Sequence, residues 1–159
     1  MNRFKNLLVI VALLLTVSSY CQDISKEEAT VKNRIFFVEL NKINQNILLD
    51  IRYATTNNFT GKVVYPEARA FLVSNAAYSL DSVQKELETM GLGLKIYDAY
   101  RPLSVQKIFW EIMPDERYVA DPKKGSRHNR GMAVDLTLVD KEGKELSMPT
   151  EYDDFTEKA

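Results

Sequence analysis

The sequence is poor in the residues that carry the commonest nucleophilic and redox chemistry. Its 159 residues include one histidine and one cysteine. Because Cys21 lies in the N-terminal segment, the rest of the chain can form no disulfide and offers no thiol nucleophile. No serine sits in a nucleophile-elbow pattern, which disfavours a Ser-His-Asp triad. The neighbouring glycines Gly91 and Gly93 indicate a helix stop and not a phosphate-binding loop or a dinucleotide fingerprint.

The charge is also small. Acidic and basic residues nearly balance, with a formal net charge of −1, and no stretch is strongly basic. The charge therefore gives no reason to expect a nucleic acid or an anionic membrane surface as a partner. A hydrophobic content of 45% is ordinary for a globular protein, and 159 residues suffice for one domain with a core.

Long apolar runs are rare, and the clearest one lies near the N-terminus. The largely apolar segment 7–17 follows a positively charged start and precedes small residues, and it is too short to span a bilayer comfortably. It predicts a signal peptide over residues 1–21, a polar linker over 22–33, a domain over 34–159, and export to the periplasm. A lipid anchor on Cys21 is an alternative, although Tyr20 fits that signal poorly. A buried N-terminal helix is a third interpretation.

The hydrophobic pattern predicts an α+β fold, with a mixed or antiparallel central sheet and flanking helices. A helix should begin near Ser74 or Asn75, either a suitable N-cap, and end before Gly91. A second helix should run from residue 103 or 104 to Ile112. The predicted packing faces are Ala77, Leu80, Val83, Leu87 and Met90 in the first helix, and Val105, Ile108, Phe109 and Ile112 in the second. Strands are predicted over 36–40, 47–53, 94–100 and 132–138, with a hairpin turn over 140–144.

The histidine and a nearby aspartate form the first candidate site. His128 precedes Gly131, which allows a tight turn, and Asp135 interrupts an apolar alternation over 132–138. A carboxylate desolvated in a strand needs a partner or a metal, and imidazole with carboxylate suits zinc. The alternative is a polar surface histidine and an aspartate that accepts backbone hydrogen bonds.

Arg101 is the second candidate. It follows an apolar strand and precedes Pro102, which restricts the local backbone. A guanidinium in this place can stabilise an oxyanion or hold a substrate carboxylate. Alternatively, it pairs with Asp98 or another local acid.

Several segments together resemble one family, the zinc D-alanyl-D-alanine dipeptidases related to the vancomycin-resistance dipeptidase. The first match is Asp-Ile-Arg-Tyr-Ala-Thr at 50–55, with Asn-Phe-Thr-Gly at 58–61. It continues with Tyr-Asp-Ala-Tyr-Arg-Pro at 97–102 and with Ser-x-His-x-x-Gly-x-Ala-x-Asp-Leu-Thr-Leu at 126–138. Met-Pro-Thr at 148–150 and Asp-Asp-Phe at 153–155 complete it.

The resemblance implies a role for five residues. His128 and Asp135 match two of the family's three zinc ligands, and Arg101 matches the arginine that stabilises the tetrahedral intermediate. Ser126 and Asp153 match positions that line the dipeptide pocket, with Asp153 suited to the substrate's free ammonium. The implied cofactor is one Zn²⁺ and the implied partner is a small dipeptide, with no nucleic acid and no transmembrane segment in the mature chain.

The sequence departs from the family in one respect. The family carries a Glu-x-x-His segment that supplies the general base and the third zinc ligand, and this sequence has no second histidine. The expectation is therefore a chain truncated at its C-terminus, whose domain is incomplete. A catalytically inactive homologue that binds cell-wall peptides or is degenerate is one alternative, and a related zinc D,D-carboxypeptidase is another.

Overall fold

The computed structural model of the protein describes residues 36–156. The predicted signal peptide and linker lie outside these residues. The strands are β1 (Phe37–Glu39), β2 (Leu48–Leu49), β3 (Phe71–Val73), β4 (Leu92–Asp98) and β5 (Asp135–Asp140). The helices are α1 (Leu40–Ile43), α2 (Ser74–Thr89) and α3 (Leu103–Ile112), and short 3-10 turns cover Arg52–Ala54 and His128–Arg130. Within residues 36–156, none of the helices has the length and apolar character needed to cross a membrane.

The strands form two sheets, which confirms the predicted mixed α+β class. β1 pairs antiparallel with β3. β4 is the central strand of the other sheet, with β2 parallel on one side and β5 antiparallel on the other. The β4–β5 register shifts near its end, so that Asp98 lies opposite Asp135. This register brings an acid from the end of one strand beside an acid from the start of the next.

The core lies between the sheets and the two longer helices. Its fully buried side chains include Leu40 from α1, Leu72 from β3, Leu94 and Ile96 from β4, and Phe109 from α3. Gln84 of α2 is also buried, and its Oε1 accepts the Leu94 N–H at 2.9 Å. α2 is therefore fixed on β4 by a hydrogen bond as well as by apolar packing.

The predicted helices are present, but two details of the prediction are wrong. Neither Ser74 nor Asn75 is the N-cap of α2, because β3 runs directly into the helix and its last residue, Val73, occupies the N-cap position. The predicted packing faces are also too wide, since four of their residues are at least 38% exposed: Val83, Met90, Ile108 and Ile112.

Three predicted strands are shorter in the structure, and the first, β1, lacks one predicted residue at each end. Of the segment 47–53, only Leu48–Leu49 is a strand, because the chain turns at Arg52–Ala54. β5 begins at Asp135, not at Met132, because the Met132 N–H is bound by the Arg127 carbonyl of the preceding turn at 3.0 Å. The predicted apolar face of this strand is also wrong in part: Leu136 is 38% exposed, whereas Thr137 on the other face is 4% exposed. The predicted hairpin turn is present, with the Asp140 N–H bonded to the Lys144 carbonyl.

Gly131 connects the histidine turn to the first sheet. It has a left-handed φ of 64°, and its carbonyl accepts the Val73 N–H at 2.9 Å. A side chain at this position would collide with the Phe37 ring and would lie 3.2 Å from the Val73 nitrogen. Both the backbone conformation and the close approach therefore require glycine here.

We expect Gly131→Ala to destabilise the protein more than Gly61→Ala. Gly61 has the same φ of 64° but no atom within 4 Å of an added Cβ, so it is a matched control for the backbone conformation alone. The control should cost about 1–2 kcal/mol, and Gly131→Ala should cost a further 1–3 kcal/mol, roughly, from overpacking. Urea unfolding of both variants measures the difference, and equal losses would contradict the steric argument.

Candidate metal centre

The candidate site forms where three segments meet. Asp98 ends β4 and Arg101 follows it, His128 opens the second 3-10 turn, and Asp135 begins β5. Backbone hydrogen bonds join the segments, because the Arg101 N–H donates to the His128 carbonyl at 3.1 Å. Asn129 reinforces this contact by donating from its side-chain amide to the Arg101 carbonyl at 2.9 Å.

The imidazole of His128 is oriented by a backbone carbonyl. Its Nδ1 lies 2.8 Å from the Ala99 oxygen, which can only accept, so we assign the proton to Nδ1. Nε2 faces Asp135 Oδ1 at 3.4 Å, so it can donate a proton to that carboxylate, and it offers its lone pair to a metal ion once that proton is released. A hydrogen bond of this kind on the distal nitrogen is the usual device for orienting a metal-binding histidine.

Asp135 faces a different group with each oxygen. Oδ1 faces the imidazole, whereas Oδ2 accepts the Tyr152 hydroxyl at 3.2 Å and lies 3.5 Å from Arg101 Nη2. Burial raises the pKa of Asp135, but the hydrogen bond to His128 and the nearby cationic groups outweigh it, so the pKa lies below its ordinary value. Asp135 is therefore ionised at neutral pH, as a metal ligand must be.

Asp98 is the fully buried acid of the site. Its Oδ1 accepts the Tyr65 hydroxyl at 2.7 Å and the Ala99 N–H at 2.9 Å. Its Oδ2 accepts Arg101 Nε at 2.9 Å and lies 2.7 Å from Nη2. Burial raises the pKa of Asp98, while the guanidinium of Arg101 opposes that rise.

The guanidinium of Arg101 is held on several sides. Beyond the bidentate contact with Asp98, its Nη1 donates to Gln106 Oε1 at 3.0 Å, and its carbon lies 4.7 Å from the centre of the Phe109 ring. Burial lowers the pKa of Arg101, but the Asp98 carboxylate together with Tyr53 and Tyr65 more than compensates and keeps the pKa above its ordinary value. The predicted alternative of a pair with Asp98 is thus confirmed, and the same guanidinium also borders the cavity described below.

Asp98, His128 and Asp135 form a group that can hold a metal ion, with ligand atoms within 4.8 Å of one another. The 3.4 Å between His128 Nε2 and Asp135 Oδ1 suits two ligands of one tetrahedral zinc, since bonds of about 2.0–2.2 Å place ligand atoms about 3.3–3.6 Å apart. Asp98 is less available, because both of its oxygens already accept hydrogen bonds. The donor set therefore fits zinc through His128 and Asp135.

A cavity of about 390 Å³ opens beside this group. Arg101, Asp135 and Asp153 border it, together with aromatic residues that include Phe59, Phe109 and Tyr152. A second cavity of about 440 Å³ lies on the other side of Tyr152, but its lining includes none of the three metal-binding candidates. We therefore place the candidate site in the smaller cavity.

Asp153 borders this cavity, and its carboxylate is held in place. Its role in binding the substrate's ammonium stays a prediction. Its Oδ1 accepts the Tyr53 hydroxyl at 3.0 Å and its Oδ2 accepts the Phe59 N–H at 3.1 Å. Its φ is 64°, a left-handed conformation that is uncommon outside glycine. Burial raises the pKa of Asp153 above its ordinary value. Strained backbone at a side chain bordering a cavity often accompanies function.

Ser126 is placed differently from the other predicted residues. Its hydroxyl accepts the Asn129 N–H at 3.3 Å, and its own N–H donates to the Asn129 side chain at 2.8 Å. Ser126 thus stabilises the turn that carries His128, and it is not among the residues that border the cavity. A role for Ser126 in substrate binding stays a prediction.

Sequence reasoning missed the residues that orient the site. Three such contacts were not predicted: Gln106 with Arg101, Tyr53 with Asp153, and Tyr152 with Asp135. Tyr53 lies inside one of the matched segments, which was a usable signal. Tyr152 had none, because nothing in its own neighbourhood predicts a contact with Asp135.

Known proteins resemble the chain over most of its length. A family profile described as D-ala-D-ala dipeptidase, peptidase M15, matches residues 33–159. The D-alanyl-D-alanine dipeptidase of Escherichia coli K12 is 39% identical over 122 residues, which cover 77% of this chain and 63% of that protein. A protein of the same name from Enterococcus faecalis is 31% identical over 144 residues, covering 77% of this chain and 71% of the relative.

The chain thus spans less than two thirds of the length of its E. coli relative. The family match covers Arg101 and Asp135, which border the cavity, and His128, which lies beside Asp135. On this evidence, the chain belongs to the peptidase M15 family of D-Ala-D-Ala dipeptidases.

Proposed function

We propose that the protein acts on the dipeptide D-alanyl-D-alanine with one zinc ion held by His128 and Asp135. The observation that carries the proposal is one cavity of about 390 Å³: Asp135, the guanidinium of Arg101 and the carboxylate of Asp153 border it, and His128 Nε2 lies 3.4 Å from Asp135 Oδ1. That volume suits a small ligand. The names of the relatives supply the substrate.

A bound zinc would polarise the scissile carbonyl and lower the pKa of a bound water to about 7. The chain's own residues orient the substrate. Arg101 is fixed by Asp98 and Gln106, so its Nη2 is directed at the Asp135 side of the cavity before any ligand arrives. A guanidinium fixed in this way can stabilise negative charge that develops on the carbonyl oxygen without reorganising.

Asp153 binds the amino-terminal end of the substrate. Its carboxylate is oriented by the Tyr53 hydroxyl and the Phe59 N–H, which leaves remaining lone pairs for a ligand ammonium. An ammonium–carboxylate contact in a partly desolvated cavity favours a substrate with a free amino terminus. This restricts the site to dipeptides and disfavours longer wall peptides, whose corresponding nitrogen is an amide.

Binding without turnover is the second candidate function. The sequence has one histidine, so the Glu-x-x-His segment that the resemblance implies is not among the 159 residues. The residues described here can orient a metal and a dipeptide, and hydrolysis also needs a general base. We therefore propose hydrolysis for the whole protein, and metal and dipeptide binding for the described residues.

We also propose that the protein is exported to the periplasm. The positively charged start, the apolar segment 7–17 and the small residues after it support this proposal, as they are typical of a secretory signal. Anchoring through a lipid on Cys21 is the alternative. N-terminal sequencing of the protein from a periplasmic fraction should give Gln22 as the first residue, and an intact Met1 in the cytoplasm would contradict export.

Asp135→Asn should weaken zinc binding strongly. The substitution removes a charged ligand, and since loss of an outer hydrogen-bond partner alone costs about 10–100-fold in affinity, we expect a loss of more than about 100-fold. Glu142→Gln removes the same charge from the exposed hairpin turn and should leave the affinity unchanged. Competition with a chromophoric chelator measures both, and equal affinities would refute the assignment of Asp135.

Asp153→Asn should weaken binding of D-Ala-D-Ala to the zinc-loaded protein by about 10–100-fold. The reason is the loss of one charge-assisted hydrogen bond, worth about 1.5–3 kcal/mol. Binding of N-acetyl-D-Ala-D-Ala, which has no ammonium, should be weak and unaffected. Asp121→Asn is the matched control, because the Asp121 carboxylate accepts the Lys123 N–H in the same way and does not border the cavity. Calorimetry measures the four combinations.

Release of D-alanine in the same samples separates the candidate functions. Release from D-Ala-D-Ala alone supports the dipeptidase. Binding without release is also expected of the described residues alone, so it supports a module that binds wall peptides only when the protein purified from its own cells shows it too. Release from the N-acetylated peptide would instead indicate a D,D-carboxypeptidase and would overturn the assignment of Asp153 to the ammonium.

A further inference from the structure

We propose that Tyr152 is a positioning residue that fixes Asp135 as a one-oxygen metal ligand. This inference rests on the proposed zinc site. The Tyr152 hydroxyl lies 3.2 Å from Asp135 Oδ2, the oxygen that faces away from His128. It therefore holds the outer oxygen and leaves Oδ1 directed at the imidazole.

The hydrogen bonds that the two tyrosine hydroxyls can donate favour this arrangement. The Tyr53 hydroxyl donates its only proton to Asp153 Oδ1 at 3.0 Å. The Tyr152 hydroxyl has two acceptors at 3.2 Å, the neutral oxygen of Tyr53 and the carboxylate of Asp135. A carboxylate is the stronger acceptor. The proton of Tyr152 is thus directed mainly at Asp135.

The ring of Tyr152 is held so that its hydroxyl has a fixed direction. It packs on Tyr97 with ring centres 4.6 Å apart and meets the Tyr53 ring edge-on at 6.2 Å. The ring forms part of the lining of both cavities, so it separates them. A side chain locked by packing on rigid neighbours can hold a ligand within the tolerance that metal sites require.

Arg101 completes the arrangement around the outer oxygen. Its Nη2 lies 3.5 Å from Asp135 Oδ2, which is longer than a strong hydrogen bond, so the guanidinium alone does not fix the carboxylate. Tyr152 supplies the shorter contact. The two groups together disfavour a rotation of the carboxylate that would bring both oxygens to one metal ion.

The hydrogen bonds also connect the metal centre with the proposed ammonium site. Asp135, Tyr152, Tyr53 and Asp153 form a continuous series of contacts of 3.0–3.2 Å. The two acids are therefore kept at a fixed separation by two phenol rings.

Tyr152→Phe tests the proposal, with Tyr97→Phe as the matched control. Each variant removes one hydroxyl from the same stacked pair, but the Tyr97 hydroxyl interacts with Glu145 and not with Asp135. We expect Tyr152→Phe to weaken zinc binding about 10–100-fold, the usual effect of removing a hydrogen bond to a metal-binding side chain. Tyr97→Phe should leave the zinc affinity within about twofold of the original protein, because the Tyr97 hydroxyl does not contact a proposed zinc ligand.

Two further measurements separate the hydroxyl from packing. The visible absorption of the Co²⁺-substituted protein should change in Tyr152→Phe and not in Tyr97→Phe, because only the former alters the coordination of Asp135. The melting temperatures of both metal-free variants report the structural cost. An unchanged zinc affinity in Tyr152→Phe, or an equal loss in both variants, would overturn this inference while the zinc site stands. Failure of the original protein to bind zinc would overturn both.

Discussion

The ion pair between Asp98 and Arg101 is the interaction on which the site depends. Asp98 has no exposed surface, and a carboxylate buried without partners would cost several kcal/mol. Arg101 offsets this with two donors to a single oxygen, while the Tyr65 hydroxyl and the Ala99 N–H satisfy the other. The guanidinium can satisfy Asp98 only in one place. Its position relative to the cavity is therefore set by the core, and no ligand is needed to establish it.

The same short segment also positions the histidine. Between Asp98 and Arg101, the carbonyl of Ala99 accepts the imidazole Nδ1, and the N–H of Arg101 donates to the His128 carbonyl. Tyr100 in the same segment donates its N–H to the Phe71 carbonyl of β3 at 2.9 Å. Residues 98–101 thus include the buried acid and form hydrogen bonds with both β3 and the histidine turn. The candidate metal centre is therefore built on the end of a central strand and not on a mobile loop.

Much of this arrangement could be predicted from the sequence. His128 before a tight turn, Asp135 within an apolar strand and Arg101 at a strand end indicated a site, and the two long helices followed from their apolar spacing. The sequence could not show that Asp98 lies opposite Asp135, because that depends on a register shift between strands. It also could not show that Tyr152 reaches back 17 residues to Asp135. The exposed face of β5 was mispredicted for a related reason: apolar alternation indicates a strand but not which face the core covers.

Charge gives a final constraint on what the cavity binds. Four acids border the cavity, Asp135, Glu151, Asp153 and Asp154, and when ionised they face two guanidiniums, those of Arg101 and Arg117. This leaves an excess of two negative charges in a partly desolvated place, which is unfavourable unless a cation reduces it. A divalent metal beside Asp135 and a ligand ammonium beside Asp153 would each act on a different carboxylate. Asp98, already neutralised by Arg101, needs neither, and it can therefore serve as the fixed anchor while the two outer acids bind their ligands.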